Sequence, residues 1–157
     1  MNVDYNLYTK LNDKLINDCE SVALSNHVNN GGILHFSNLV KDCNVVITAT
    51  CCHKVVGFVS IRYYSHMIGY GYLEQIAILD NYKKQGIGTS LILQAIDYCK
   101  ANKLLGMYAN CRKENVASAK LLAKCGFSKC TMSDNAYMLL GFDKGDIKDN
   151  YAFRFIF

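Results

Sequence analysis

The stretch YLEQIAILDNYKKQGIGTSL, residues 72 to 91, constrains this chain more than any other. An apolar run ends at Asp80, two lysines and a glutamine follow, and two glycines one residue apart lead into an apolar helical pattern. That order predicts a strand, a tight turn and a helix packed back on a sheet. Glycine lets backbone approach a ligand closely. The N–H groups opening the helix from Ile87 to Leu91 are expected to lack intrahelical acceptors, and the helix dipole adds positive charge there. Lys83 and Lys84 contribute full charges. On these residues alone the turn either receives a phosphate-bearing group or merely relieves strain between strand and helix.

Two nucleotide-binding patterns fail here. A Walker-type loop requires G-x-x-x-x-G-K-[ST], and after Gly88 the chain has Thr89 and no lysine. A dinucleotide fingerprint requires a third glycine, and that position is Leu91.

Around the turn, hydrophobic periodicity lays out the remaining elements. VDYNLYT reads as a short strand and residues 10 to 29 as a helix, with Leu11, Leu15, Ile16, Cys19, Val22 and Ala23 at helical spacing. Gly31-Gly32 interrupts that pattern, and residues 33 to 41 suit a second short helix. VVITATC and VVGFVSIRYY form a hairpin turning near His53 and Lys54. YGYLEQIAIL is the next strand, and residues 87 to 102 form a helix burying Ile87, Leu91, Ile92, Ala95, Ile96 and Cys99. A strand around LLGMYA and a helix from Asn115 to Lys124 ending at Gly126 follow. FSKCTM, AYMLLGF and YAFRFIF read as strands. The expectation is one mixed α/β (α+β) domain over residues 1 to 157 on a largely antiparallel sheet. The tail YAFRFIF suits either a central strand or an edge that pairs with a second subunit in a homodimer.

Composition narrows the function classes. With 157 residues, half of them hydrophobic, the chain can build its own core. No apolar run reaches the roughly 20 residues that cross a bilayer, and the first ten residues lack a secretory pattern, so a soluble, cytoplasmic protein without membrane partners is expected. A net charge of +4 with only paired basic residues, such as Arg112-Lys113, does not predict nucleic-acid binding. Eight cysteines and four scattered histidines show no zinc spacing, so no metal is expected and most cysteines read as buried thiols.

The central stretch resembles the signature of the GNAT superfamily of acetyl-coenzyme A-dependent N-acetyltransferases, in which a strand leads into [RQ]-x-x-G-x-[GA] and a long helix. The match is Lys83-Lys84-Gln85-Gly86-Ile87-Gly88, with lysine where the family has arginine or glutamine. NVASAKLLAKCGF, residues 115 to 127, is similar to the family's N-x-x-A-x-x-L-Y-x-x-x-G-F through Asn115, Leu121, Gly126 and Phe127; Ser118 replaces the small alanine.

The resemblance implies a splayed sheet flanked by helices, with acetyl-coenzyme A in the gap between the strands near 72–79 and 104–110. It implies that the backbone of Ile76, Ala77 and Ile78 pairs with the pantetheine arm. The turn Lys83, Lys84, Gln85, Gly86, Ile87, Gly88 and Thr89 would hold the pyrophosphate, with Asn115 and Ser118 facing the cofactor. An N–H near Ile76 and Ala77 would stabilise the oxyanion as an amine attacks. Tyr72 and Glu74 match positions that serve as, or relay to, the base that deprotonates the amine; Glu74 otherwise binds the substrate's charge or faces solvent. The family's general-acid tyrosine is missing, because the pair here is Leu121-Leu122, and Tyr108, Tyr137 and Cys111 are the substitutes at hand. The acceptor is a small-molecule or peptide amine, with Tyr63, Tyr64, His66 and Tyr70 candidates to line its pocket. A coenzyme A-binding regulatory module with little catalysis is the alternative.

Overall fold

The computed structural model describes residues 2–30 and 40–157, with backbone alone at 27–30. The second helix expected at 33 to 41 lies largely outside the described residues. The elements are β1 (Asp4–Tyr8), α1 (Asp13–Asn30), β2 (Val45–Cys51), β3 (Lys54–Arg62), β4 (Tyr70–Ile78), α2 (Ile87–Ala101), β5 (Gly106–Arg112), α3 (Val116–Lys124), β6 (Ser128–Cys130), α4 (Asp134–Leu139), α5 (Lys144–Ile147) and β7 (Asn150–Ile156). A short 3-10 turn, Asp80–Tyr82, lies between β4 and α2. The fold is a mixed α/β arrangement whose seven strands form a mostly antiparallel sheet with flanking helices. Two compact bodies make up the chain: Met1–Arg62 with Leu73–Ala95, and Tyr63–Tyr72 with Ile96–Phe157.

In the first body the strand order is β1-β2-β3-β4. The hairpin joins Cys51 to Lys54 through Cys52 and His53, whose φ values of 49° and 63° are both left-handed. Two such residues match the right-handed twist of the flanking strands, so the turn is centred one residue earlier than the sequence suggests. Helix α1 starts at Asp13 rather than residue 10 because Asn12 caps it, its Oδ1 accepting from the Leu15 N–H at 2.9 Å. Leu15, Cys19, Val22 and Ala23 then pack with Val40, Cys43, Val46, Phe58 and Ala77 into one core. Across β3 and β4 the chains approach closely: a Cβ on Gly57 would lie 3.1 Å from the Ile78 Cγ1.

In the second body β7 lies between β5 and β6, paired with Gly106–Arg112 on one edge and Ser128–Cys130 on the other. The tail is therefore a central strand, and its backbone is spent on these partners instead of an edge open to a second subunit. AYMLLGF departs from its expected strand form. Residues 134–139 are helix α4 because Ser133 caps it, its Oγ accepting from the Ala136 N–H at 3.2 Å. Gly141, at φ 90°, ends the helix, and the Phe142 N–H returns to the Tyr137 carbonyl while the two rings meet edge to face. Local capping outweighs the strand propensity of Tyr137.

The buried face expected for α2 is observed in full: Ile87, Leu91, Ile92, Ala95, Ile96 and Cys99 are all buried. Six of the eight cysteines are buried, Cys130 is partly so, and Cys52 is exposed. Among the described residues no group of three or more His, Cys, Asp or Glu is arranged to hold a metal ion, and no helix is long and apolar enough to cross a membrane.

Candidate functional site

The first body carries β4 from Leu73 onward and the glycine turn. The Leu79 N–H donates to the Val56 carbonyl at 2.9 Å, which fixes the parity of the strand. By strand alternation the backbone groups of Leu79, Ala77 and Gln75 point toward β3, and those of Ile78, Ile76 and Glu74 toward the other edge. The Ala77 carbonyl agrees, lying 3.2 Å from where a Gly57 Cβ would stand. Of the triplet Ile76-Ala77-Ile78, the outer two residues thus own the edge away from β3. Asn26 of α1, which no sequence pattern singles out, donates from Nδ2 to the Ile78 carbonyl at 2.6 Å and fastens the end of that edge.

The turn follows. The Tyr82 N–H bonds the Leu79 carbonyl and the Lys83 N–H the Asp80 carbonyl. Lys83 forms an i,i+3 ion pair with Asp80 at 2.5 Å, so its charge is shared before any ligand arrives. Lys84 is exposed with φ 59°, and Gln85 donates from Nε2 to the Asn81 carbonyl at 2.9 Å. Gly86 has φ 85°, and among the described residues no heavy atom beyond its chain neighbours lies within 4 Å of the place a Cβ would take. The Ser90 N–H donates to the Gly86 carbonyl at 3.0 Å, the first bond of α2. The helical donors left over are therefore Ile87, Gly88 and Thr89, fewer than the five expected. A residue without a side chain caps the helix, so these N–H groups open onto the space above Gly86. That space and those donors fit an anionic oxygen cluster.

Glu74 is half-buried on β4. Its charge and that of Arg62 act in opposite senses on the Cys43 thiol, which burial pushes up to about 11. The carboxylate thus sits in a neighbourhood that also contains a guanidinium.

Tyr72, two residues back, belongs to the second body. It is 5% exposed, and its hydroxyl donates to Asn110 Oδ1 at 3.0 Å, with the Tyr64 ring edge to face at 5.5 Å. Asn110 donates onward from Nδ2 to the Tyr151 carbonyl at 3.4 Å and also bonds the Tyr137 phenol, which burial holds above its ordinary pKa. Asn110 was missed in the sequence, although a lone amide within the strand GMYANCR is the kind of signal that would have found it. Tyr108 is bonded to Arg154, and Cys111 is buried with its thiol raised by desolvation. Tyr64 also meets His66 at a tilt, and Tyr70 meets Tyr108 edge to face.

On α3, Asn115 is the N-cap, its Oδ1 accepting from the Ser118 N–H at 3.1 Å. Both residues nominated there are thus engaged with each other at the helix start. Leu122, where the signature has tyrosine, is 2% exposed.

Comparison with known proteins bears on family and fold. Streptothricin acetyltransferase A of Bacillus subtilis is 33% identical over 75 residues, 48% of this chain and 42% of its own length, so less than half of that relative is matched. A Bacillus anthracis structure with acetyl coenzyme A bound shares the fold at 24% identity, covering 82% of this chain and 70% of that one with a TM-score of 0.60. So does a GNAT-family acetyltransferase from Staphylococcus aureus, at 16% identity over 96% of this chain and 98% of that one, with a TM-score of 0.73. The model of the acetyltransferase (GNAT) family matches residues 14–127, and the chain belongs to that family.

Proposed function

We propose that this chain is an N-acetyltransferase, one domain over its whole length, that transfers the acetyl group of acetyl-coenzyme A to a primary amine by direct attack in a ternary complex. The observation that carries this is the start of α2: a glycine cap at φ 85° with space above it that no described residue fills, and the N–H groups of Ile87, Gly88 and Thr89 without helical acceptors. Pyrophosphate oxygens satisfy those donors, with Lys84 adding charge and Gln85 and Lys83 shaping the turn. The Ile76 and Ile78 edge of β4 takes the pantetheine arm as an added strand, with Ala77 as spacer. Asn115 and Ser118 contribute by fixing the first turn of α3.

The chain's own groups then divide the chemistry. Glu74 takes the proton from the ammonium of the acceptor, directly or through water, leaving a lone pair to attack the thioester carbonyl. The Ile76 N–H steadies the negative charge on the carbonyl oxygen. Tyr72 holds the strand beside Glu74 through Asn110. The thiolate leaves without a phenol at residue 122.

Thiol release from acetyl-coenzyme A in the presence of an amine panel tests the reading, with streptothricin included because a relative carries that name. Glu74→Gln is expected to bind acetyl-coenzyme A as before and to lose about 10²-fold or more in turnover. Full turnover in that variant removes the base assignment. The buried Leu122 favours a second reading, a coenzyme A-binding module with little catalysis; binding without thiol release for any amine selects it.

A further inference from the structure

Cys51 closes β2 and Cys52 opens the turn to β3. Their sulfurs lie 3.9 Å apart. Cys52 is the exposed member of the eight cysteines, and its neighbour Cys51 is buried beneath it. A thiol reagent that reaches Cys52 therefore finds a second thiol within one bond rotation. Direct oxidation of the pair is disfavoured by geometry. Adjacent Cα atoms stand about 3.8 Å apart across a trans peptide, short of the roughly 4.4–6.8 Å that a relaxed disulfide spans. One soft atom placed between the two sulfurs removes that conflict.

We propose that Cys51 and Cys52 form a bidentate binding site for trivalent arsenicals. With an organoarsenic oxide, two As–S bonds form and the arsenic–oxygen bond breaks. The two thiol protons leave with that oxygen as water, and no atom changes oxidation state. Cys52 attacks first because it is exposed, and the buried Cys51, its thiol raised by desolvation, closes the site in the second, intramolecular step. The site reaches the glycine turn through Tyr82, whose phenol hydrogen-bonds the Cys51 thiol. Tyr82 ends the 3-10 turn from which Lys83 to Gly86 lead into α2. Loading the pair removes that partner at the base of the turn.

Phenylarsine oxide and intact-mass measurement on the full native chain test the site. The expected result is a single adduct that survives excess 2-mercaptoethanol and is removed by 2,3-dimercaptopropanol, the mark of two sulfurs on one arsenic. Cys52→Ser, at an exposed position that tolerates it, abolishes the resistant adduct, whereas Cys130→Ser retains it. An adduct that a monothiol strips, or one that persists in Cys52→Ser, overturns the proposal. A second readout rests on the coenzyme reading of the turn: the loaded wild type binds acetyl-coenzyme A several-fold more weakly and Cys52→Ser is unaffected by the reagent. Unchanged affinity in the loaded protein overturns the coupling through Tyr82, and adduct formation is judged separately by mass.

Discussion

Helices α2 and α3 begin in opposite ways. Helix α2 opens on Gly86, which has no side chain, and its first three N–H groups receive nothing from the helix itself. Helix α3 opens on Asn115, whose Oδ1 answers the Ser118 N–H. Each start belongs to a stretch similar to a family signature, and sequence reasoning assigns a cofactor to both. Physical chemistry separates them. A helix that supplies its own cap has satisfied its donors and is anchored in the fold. A helix opened by glycine holds donors and dipole in reserve for an anion.

The sharpest way to break this contrast is Gly86→Val. A β-branched residue at φ 85° costs about 1–2 kcal/mol in the folded state, and its side chain enters the open space above the turn. Hydrogen bonds to charged groups contribute about 1.5–3 kcal/mol each. Losing one or two weakens acetyl-coenzyme A binding by roughly 10- to 10⁴-fold. Calorimetric titration beside a thermal melt reads both effects. A lower Tm with unaltered affinity means that the turn is only a strain-relieving connection.

The converse change is Asn115→Ala. Loss of the cap is expected to cost about 1 kcal/mol, a drop of about 2–4 °C in Tm for a chain of this size. Affinity for acetyl-coenzyme A is expected to move less than twofold. A tenfold loss of affinity with Tm intact makes α3 a ligand end after all, and Asn115→Asp, which preserves the cap, separates the roles.

The same contrast explains what was legible in the sequence. The hairpin, the buried face of α2 and the stop at Gly126 follow from periodicity and turn chemistry, and those are local. The helix at 134–139 was local too, yet its Ser133 cap competed with an apolar run that reads as a strand. Asn110 and Asn26 belong to a different class. Each side chain bonds a group 38 and 52 residues away in the chain, Tyr72 and Ile78 respectively. No spacing rule encodes such pairs. The Lys83–Asp80 pair lies between: its i,i+3 spacing is visible, but only the 3-10 turn makes the two ends meet.

That pair sets the smallest expected effects, and their sign is what matters. Lys84 is exposed, so Lys84→Gln removes one screened positive charge from the rim of the turn. Exposed charges contribute about 0.2–1 kcal/mol, which corresponds to an affinity loss of up to roughly fivefold at low salt. Asp80→Asn works in the other direction, releasing the Lys83 ammonium from its carboxylate and removing a negative charge near the same donors. Acetyl-coenzyme A should bind about twofold more tightly to that variant. Both differences should shrink as salt approaches 1 M, where the Debye length falls to about 3 Å. Shifts of the same sign in the two variants, or shifts indifferent to salt, mean that these residues shape the turn rather than charge it. The donors of Ile87, Gly88 and Thr89 would then hold the anion with backbone alone.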